Sequence, residues 1–351
     1  AGERPEAELL AVMKHVRFAV MAASFLHGTV IGWPALRSGE GQSMLLHAML
    51  PTLDGTKAVP RSGCGPRLIY VVGGLDNVIG RLTKVELYDP QNASWTQLAG
   101  MAGPRSSHGC AVLDGKLYAV GGFGAAGQAL DTAEVYDPQT DGWQPLAKMT
   151  TARCVLGLAA AGGKIYAIGG QNLGYALESV EAYNPQLGSW APVASMSVKR
   201  RGHASLVLDG KIYVLGGRGV SNAMLDTVEF HDPQADSWQR VASMPQGLHG
   251  HTAAAMGGKI YVTGGYDRVG DMLNSACVYD PQADAWTQLA SMGAARHSHA
   301  SAAVGGKLYV FGGLSAGEKL STVEVYDPAS DSWTQGSSLN PARSYSVAVT
   351  L

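Results

Sequence analysis

Five arginines, Arg105, Arg153, Arg200, Arg296 and Arg343, stand at one position of a pattern that advances by 47 or 48 residues, with Leu248 taking the remaining place. Glu86, Glu134, Glu181, Glu229 and Glu324 recur at the same period, and Cys277 replaces the sixth glutamate. Guanidinium and carboxylate groups that repeat together are the makings of ion pairs. Three residues after the arginine position come His108, His203, His251 and His299, interrupted by Leu156 and Ser346. Imidazoles in such a set can ligate a metal, move protons, or serve as hydrogen-bonded neutral groups. Two further positions vary from copy to copy. The residue after the arginine position is Ser106, Cys154, Arg201, His249, His297 or Ser344, and the residue after a recurrent Gly-Gly is Leu75, Phe123, Gln171, Arg218, Tyr266 or Leu314. Repeated charges serve the repeat, whereas function belongs where the copies differ.

The elements that must position these residues follow from the same ruler. Double glycines at 73, 121, 169, 216, 264 and 312 begin the count. Tyr88, Tyr136, Tyr183, His231, Tyr279 and Tyr326 each precede a turn, five through Asp-Pro and one through Asn184-Pro185, and a tryptophan follows seven residues after each. Short apolar runs bounded by Gly, Asp and Pro favour strands over helices. In the second copy they are Ser107 to Leu113, Lys116 to Val120, Ala133 to Tyr136 and the run around Trp143, here called strands A to D. Six four-stranded sheets set radially make a propeller.

The double glycine, the Tyr-Asp-Pro and the tryptophan at this period resemble kelch repeats over residues 61–351. The expected fold is all-β, a six-bladed kelch β-propeller. Its first copy begins at strand B (Arg67 to Val72), and the chain ends on a lone strand A within Arg343 to Val349, so the last strand is expected to complete the first blade and remove an exposed edge. The resemblance to kelch-like adaptors implies that the two variable positions line a channel mouth that grips a peptide, with Ser at the first and Tyr or Arg at the second. Ser106 and Ser344 match at the first, and Tyr266 and Arg218 at the second. Arg201, His249, His297, Phe123 and Gln171 fill the same positions with other side chains, and arginines there suit an acidic or phosphorylated peptide loop. Asp76, Asp267, Asp271 and Glu318 in neighbouring loops reduce the positive field.

Strands A and C start at the same end of a blade, with strand B and its double glycine between them. Five pairs within blades are therefore expected: Arg343 with Glu86, Arg105 with Glu134, Arg153 with Glu181, Arg200 with Glu229 and Arg296 with Glu324. Each arginine would reach over a glycine that has no side chain. The joint absence of Arg and Glu from blade 5 fits the asymmetry of buried ion pairs, in which losing one partner costs far more than losing both. Strand alternation would turn the histidines toward the channel, but no carboxylate or cysteine completes a metal shell, so no metal and no cofactor is expected.

Residues 1–60 carry a mostly helical apolar spacing, at Leu9, Leu10, Val12, Met13, Val16, Met21, Phe25 and Leu26. The run from Leu9 to Phe18, followed by Phe25-Leu26, resembles the late part of a BACK domain, with Met44 to Leu50 as its closing helix. That resemblance implies a BTB domain, the part that binds a cullin, outside this chain. Phe18 to Leu36 is short and interrupted for a membrane span. A formal net charge of -2 with 15% charged residues is not the composition of a nucleic-acid binder. The four cysteines share no repeat position or ligand spacing, which favours a reducing, cytoplasmic setting over a disulfide framework. The expected function is an interaction module, the substrate-recognition propeller of a cullin-RING ubiquitin ligase adaptor. The alternatives are an actin-binding or scaffolding kelch protein, or a kelch enzyme of the mutarotase or oxidase kind, the former using the histidines with Glu318 or Asp271.

Overall fold

The computed structural model describes residues 68–351. The helical, BACK-like segment, the candidate membrane stretch and the boundary at residue 60 all lie outside these residues. The described chain folds into six four-stranded antiparallel sheets, each ordered A-B-C-D. In blade 2 these strands are Gly109–Leu113, Lys116–Val120, Ala133–Asp137 and Gly142–Pro145. Strand A therefore starts later than its alternation suggests, because Ser107 adopts a left-handed φ of 52° that no strand accommodates.

Blade 1 takes its strand A from the end of the chain. Val347–Thr350 pairs antiparallel with Ile69–Val72, Val347 facing Val72 and Thr350 facing Ile69. The seam is packed as a core: Ile69, Val71 and Tyr88 of blade 1 meet Ala302, Phe311 and Val325 of blade 6. Strand B is sandwiched between two neighbouring blades, so it reads as an unbroken apolar run such as Ile212 to Leu215, buried throughout. Strand D is the outer edge and alternates exposed with half-buried residues.

The tryptophans and the turn residues join blades to one another. Each tryptophan Nε1 donates to a backbone carbonyl at the exit of the preceding blade's strand D, as Trp143 does to Ala99 and Trp238 to Ala194. In blades 2, 4, 5 and 6 an aspartate five residues after the Tyr/His position adds a second link. Asp141 Oδ1 accepts the Ala99 N–H at 2.9 Å and the Tyr136 hydroxyl at 2.7 Å, and Asp236, Asp284 and Asp331 repeat this with their own neighbours. Blade 1 has Ala93 at this position, at a φ of 50° that aspartate tolerates better than alanine. Ala93→Asp is therefore expected to stabilise the closing seam by about 1 kcal/mol, the net worth of one such bond. The check is a higher urea midpoint at unchanged m value, and no shift would show that the seam cannot use the carboxylate.

Candidate functional site

The segment leading into each strand A organises one end of the propeller. The two variable positions of each blade are backbone partners: Ser106 with Phe123, Cys154 with Gln171, Arg201 with Arg218, His249 with Tyr266, His297 with Leu314, and Ser344 with Leu75. In blade 4 the Arg201 N–H donates to the Arg218 carbonyl at 3.0 Å and the Arg218 N–H returns the bond at 2.8 Å. The variable residues thus form six pairs around the mouth, one per blade.

Inside these pairs runs a closed belt of backbone hydrogen bonds. Ser107 donates to Tyr345, Tyr345 to Ser298, Ser298 to Gly250, Gly250 to Gly202, Gly202 to Val155, and Val155 to Ser107, at distances from 2.7 to 3.0 Å. All six residues have left-handed φ between 50° and 67°, and only two are glycine. A β-branched Val155 at 55° is costly on its own and persists because two neighbouring blades hold it there.

Beneath the belt the five arginines are buried and paired within their own blades. Arg105 Nε meets Glu134 at 2.8 Å, while Arg153 with Glu181 and Arg200 with Glu229 meet through Nη2 at the same distance. Arg296 with Glu324 and Arg343 with Glu86 make the corresponding contacts, and Lys84 adds a second cation to Glu86 at 2.7 Å. Arg153 Nη1 also donates to the carbonyls of Gly169 and Ser179. The carboxylates clamp the connector arriving from the preceding blade: Glu134 accepts from the Ala102 N–H and Glu181 from the N–H groups of Thr150 and Thr151. Burial disfavours the Glu181 carboxylate, yet its bonds from Thr150 and Arg153 hold its pKa below the ordinary range.

The double glycine has a different task from the expected one. A Cβ at Gly73 would come within 2.6 Å of the Arg105 carbonyl of the next blade, and one at Gly74 within 2.8 Å of the Ser344 carbonyl of its own blade. Both have positive φ. The pair clears room for two lead-in backbones rather than for a crossing arginine side chain, and the second glycine's N–H donates to the next blade's arginine carbonyl, as Gly122 does to Arg153 at 2.9 Å.

Blade 5 lacks three parts of this clamp. Leu248 and Cys277 stand where the ion pair would be, and both join an apolar cluster with Met244 and Val262. Pro245 occupies the connector position whose N–H the glutamate receives in blades 2, 3, 4 and 6, and proline has no N–H to leave unpaired. A cavity of about 20 Å³ beside Leu248, Ser275 and Cys277 marks the volume that the smaller pair does not fill. Pro245 was legible as a departure from the repeat, but its meaning depends on a bond that only the fold reveals.

The four histidines border the central channel, with their rings packed against the preceding blade. Blades stand edge-on to the channel, so the alternating side chains of strand A pack on one neighbouring blade or the other. His108 Cε1 lies against Gly73 of the preceding blade, and His203, His251 and His299 sit likewise against Gly169, Gly216 and Gly264. All four are buried, and His299 Nε2 bonds Thr252 and Thr263 at 2.9 and 3.0 Å. Burial pushes His108 down to about 3 and His251 to about 4, with His203 and His299 also well below the usual imidazole value. Among the described residues no three His, Cys, Asp or Glu converge as a metal would require. Glu318 is exposed on a loop hairpin, whereas the histidines are buried between blades.

The mouth itself is uneven. Arg201 donates to the side-chain oxygens of Gln171 and, at 2.7 Å, Asn222, and neither it nor Arg218 has a carboxylate partner among the described residues. The Tyr266 and His297 rings lie 4.1 Å apart, and Arg81 stands over the Phe123 ring at 5.6 Å. Ser106 and Ser344 are buried under this layer. Two of the opposing acids are turned inward: Asp76 accepts the N–H groups of Val78, Ile79 and Gly80, and Asp267 those of Val269 and Asp271. Arg81, Asn222 and Arg268 also belong to this face and fall outside the two repeat positions that marked it. Of the seven large apolar residues exposed in the described chain, six (Val78, Ile79, Leu173, Tyr175, Val220 and Val269) sit on its B–C loops, and Leu187 lies at the opposite end.

These features define a six-bladed, kelch-type propeller with one arginine-bearing, apolar-tipped mouth. The family model described as the KLHDC2/KLHL20/DRC7 Kelch-repeats domain matches residues 46–217 and 202–350, and the chain belongs to that family. It is 40% identical over 62 residues to Kelch-like protein 28 of Mus musculus, covering 18% of this chain and 11% of that protein. It is 35% identical over 123 residues to Kelch-like protein 5 of Homo sapiens, covering 33% and 16%. The matched stretches are thus a small part of those relatives' length. A solved structure, "Structure of YjhT", shares the fold at 18% identity with a TM-score of 0.64, covering 76% of this chain and 96% of its own.

Proposed function

We propose that this chain is a protein-interaction module whose B–C loop end grips a segment of a partner protein. The observation that carries it is the coincidence, at one end only, of six exposed apolar tips with two arginines that no described carboxylate neutralises. Arg201 and Arg218 would take an acidic or phosphorylated side chain, with Phe123, Gln171, His249, Tyr266 and His297 shaping the surrounding contact and Ser106 and Ser344 beneath it. The same reading extends the resemblance to kelch-like proteins to a cytoplasmic ubiquitin ligase adaptor, with a cullin recruited by a BTB domain. No described helix is long and apolar enough to cross a membrane.

The test is affinity capture with the full-length protein and with Arg201→Glu/Arg218→Glu. The double reversal is expected to weaken partner binding by about 10- to 100-fold, the worth of charged hydrogen bonds, without lowering the thermal midpoint. Leu187→Asp, at the opposite end, should bind as the parent does. Equal capture by the double reversal would remove the mouth from the reading. Actin recovered in place of a cullin would move the module to the scaffolding class.

A further inference from the structure

The blade 4 and blade 5 sides of the mouth meet where Gly202 follows Arg201. A Cβ at Gly202 would collide with His249 Nε2, so the imidazole of blade 5 rests on the main chain immediately beside Arg201. The backbones of Gly202 and Gly250 are joined by a 3.0 Å bond of the belt, which fixes this approach. The groups facing His249 are Arg201, Arg218 and His203 from blade 4, His251 from its own strand, the paired Tyr266, and His297 from blade 6. Every charged or titratable group in that set is cationic or neutral. His249 Nδ1 and Arg218 Nε are buried without a partner. A groove of about 540 Å³, lined by Arg218, Asn222, Met224, Arg268 and Val269 among others, opens from the same side.

Resting on the interaction reading, we propose that Arg201, Arg218 and His249 form one oxyanion subsite, and that filling it draws a proton from solvent onto His249. Unliganded, the imidazole stays neutral: burial and the two nearby guanidinium groups push its pKa down to about 3. An anion between the arginines offsets their charge and gives an imidazolium a partner, which raises the His249 pKa. One proton then enters from water for each anion bound, and no bond other than N–H forms. The remainder of the ligand lies in the groove, its apolar groups on Met224 and Val269, beside Arg268, which faces Asp226 at 3.8 Å.

Sulfate is the probe, because its charge is constant across the pH range used. Its affinity is expected to rise as pH falls from 8 to 6, approaching tenfold per pH unit where one full proton is taken up. The His249 ring, followed by NMR, should titrate in this range only with sulfate present. His249→Gln should abolish the slope, and Arg201→Gln/Arg218→Gln the binding. An aspartate-rich peptide or its phosphoserine counterpart should displace sulfate, and the one that does names the source of the oxyanion. Flat affinity with an untitrated His249, displacement by neither peptide, or binding unchanged in the double glutamine variant (an adventitious ion only) would each overturn the subsite. Partner capture that is lost in the charge-reversed variant yet independent of pH would overturn the proton coupling and leave the interaction module intact.

Discussion

Replacing Arg200 by leucine while keeping Glu229 is expected to cost about 3 to 5 kcal/mol, because the glutamate is left charged in a site from which water is excluded. Arg200 is fully buried and Glu229 is 1% exposed, so neither can turn to solvent. The triple change Ser197→Pro, Arg200→Leu and Glu229→Cys copies blade 5 into blade 4 and should recover most of that loss. It removes the cation, the carboxylate and the N–H of Ser197 that Glu229 accepts at 3.2 Å, so that no buried charge stays unpaired, although the Gly216 carbonyl loses its 2.8 Å bond from Arg200. Urea unfolding of the single, double and triple variants measures the coupling directly. If the triple variant is no more stable than Arg200→Leu alone, then the composition of blade 5 does not reflect a coupled clamp.

Acid unfolding should begin well above the pH at which carboxylates titrate. Six histidines, at 108, 203, 249, 251, 297 and 299, have folded pKa values below the ordinary one, two near 3 and two near 4. The unfolded chain binds these protons first. Stability is therefore complete above pH about 6.5, the unfolded imidazole value, and is lost as pH falls toward the folded values. Each histidine withdraws on the order of 1 kcal/mol per pH unit in that window, and six together match a typical total of about 5 to 15 kcal/mol within two units. An unfolding midpoint between about pH 4 and 6 is expected, with proton uptake on unfolding at pH 5. Blade 3 carries Leu156 at the histidine position, against Gly121, which makes His108→Leu a conservative probe. Its acid midpoint should move to lower pH. A midpoint below pH 3, or one unmoved by the substitution, would mean that these histidines accept protons without opening the blades.

The sequence alone settled the number of blades, the closure by the last strand and the partners of the five ion pairs. Those follow from period and from strand direction, which a repeat displays many times over. What it could not show were relations between blades. The direction of the histidines depended on sheets standing edge-on to the axis, and the double glycine's task depended on a carbonyl from the next copy, 32 residues from Gly73 to Arg105. The belt was equally hidden, since four of its six left-handed residues are not glycine and so carry no local mark. At the mouth the two variable positions were legible as exceptions, but their pairing, the cationic junction of blades 4 and 5 and the apolar tips were not. Local pattern determines which residues share a strand, because alternation and turns act over a few residues; which strands then face one another is decided by packing across blades, where contacts are set by geometry rather than by neighbours in the chain.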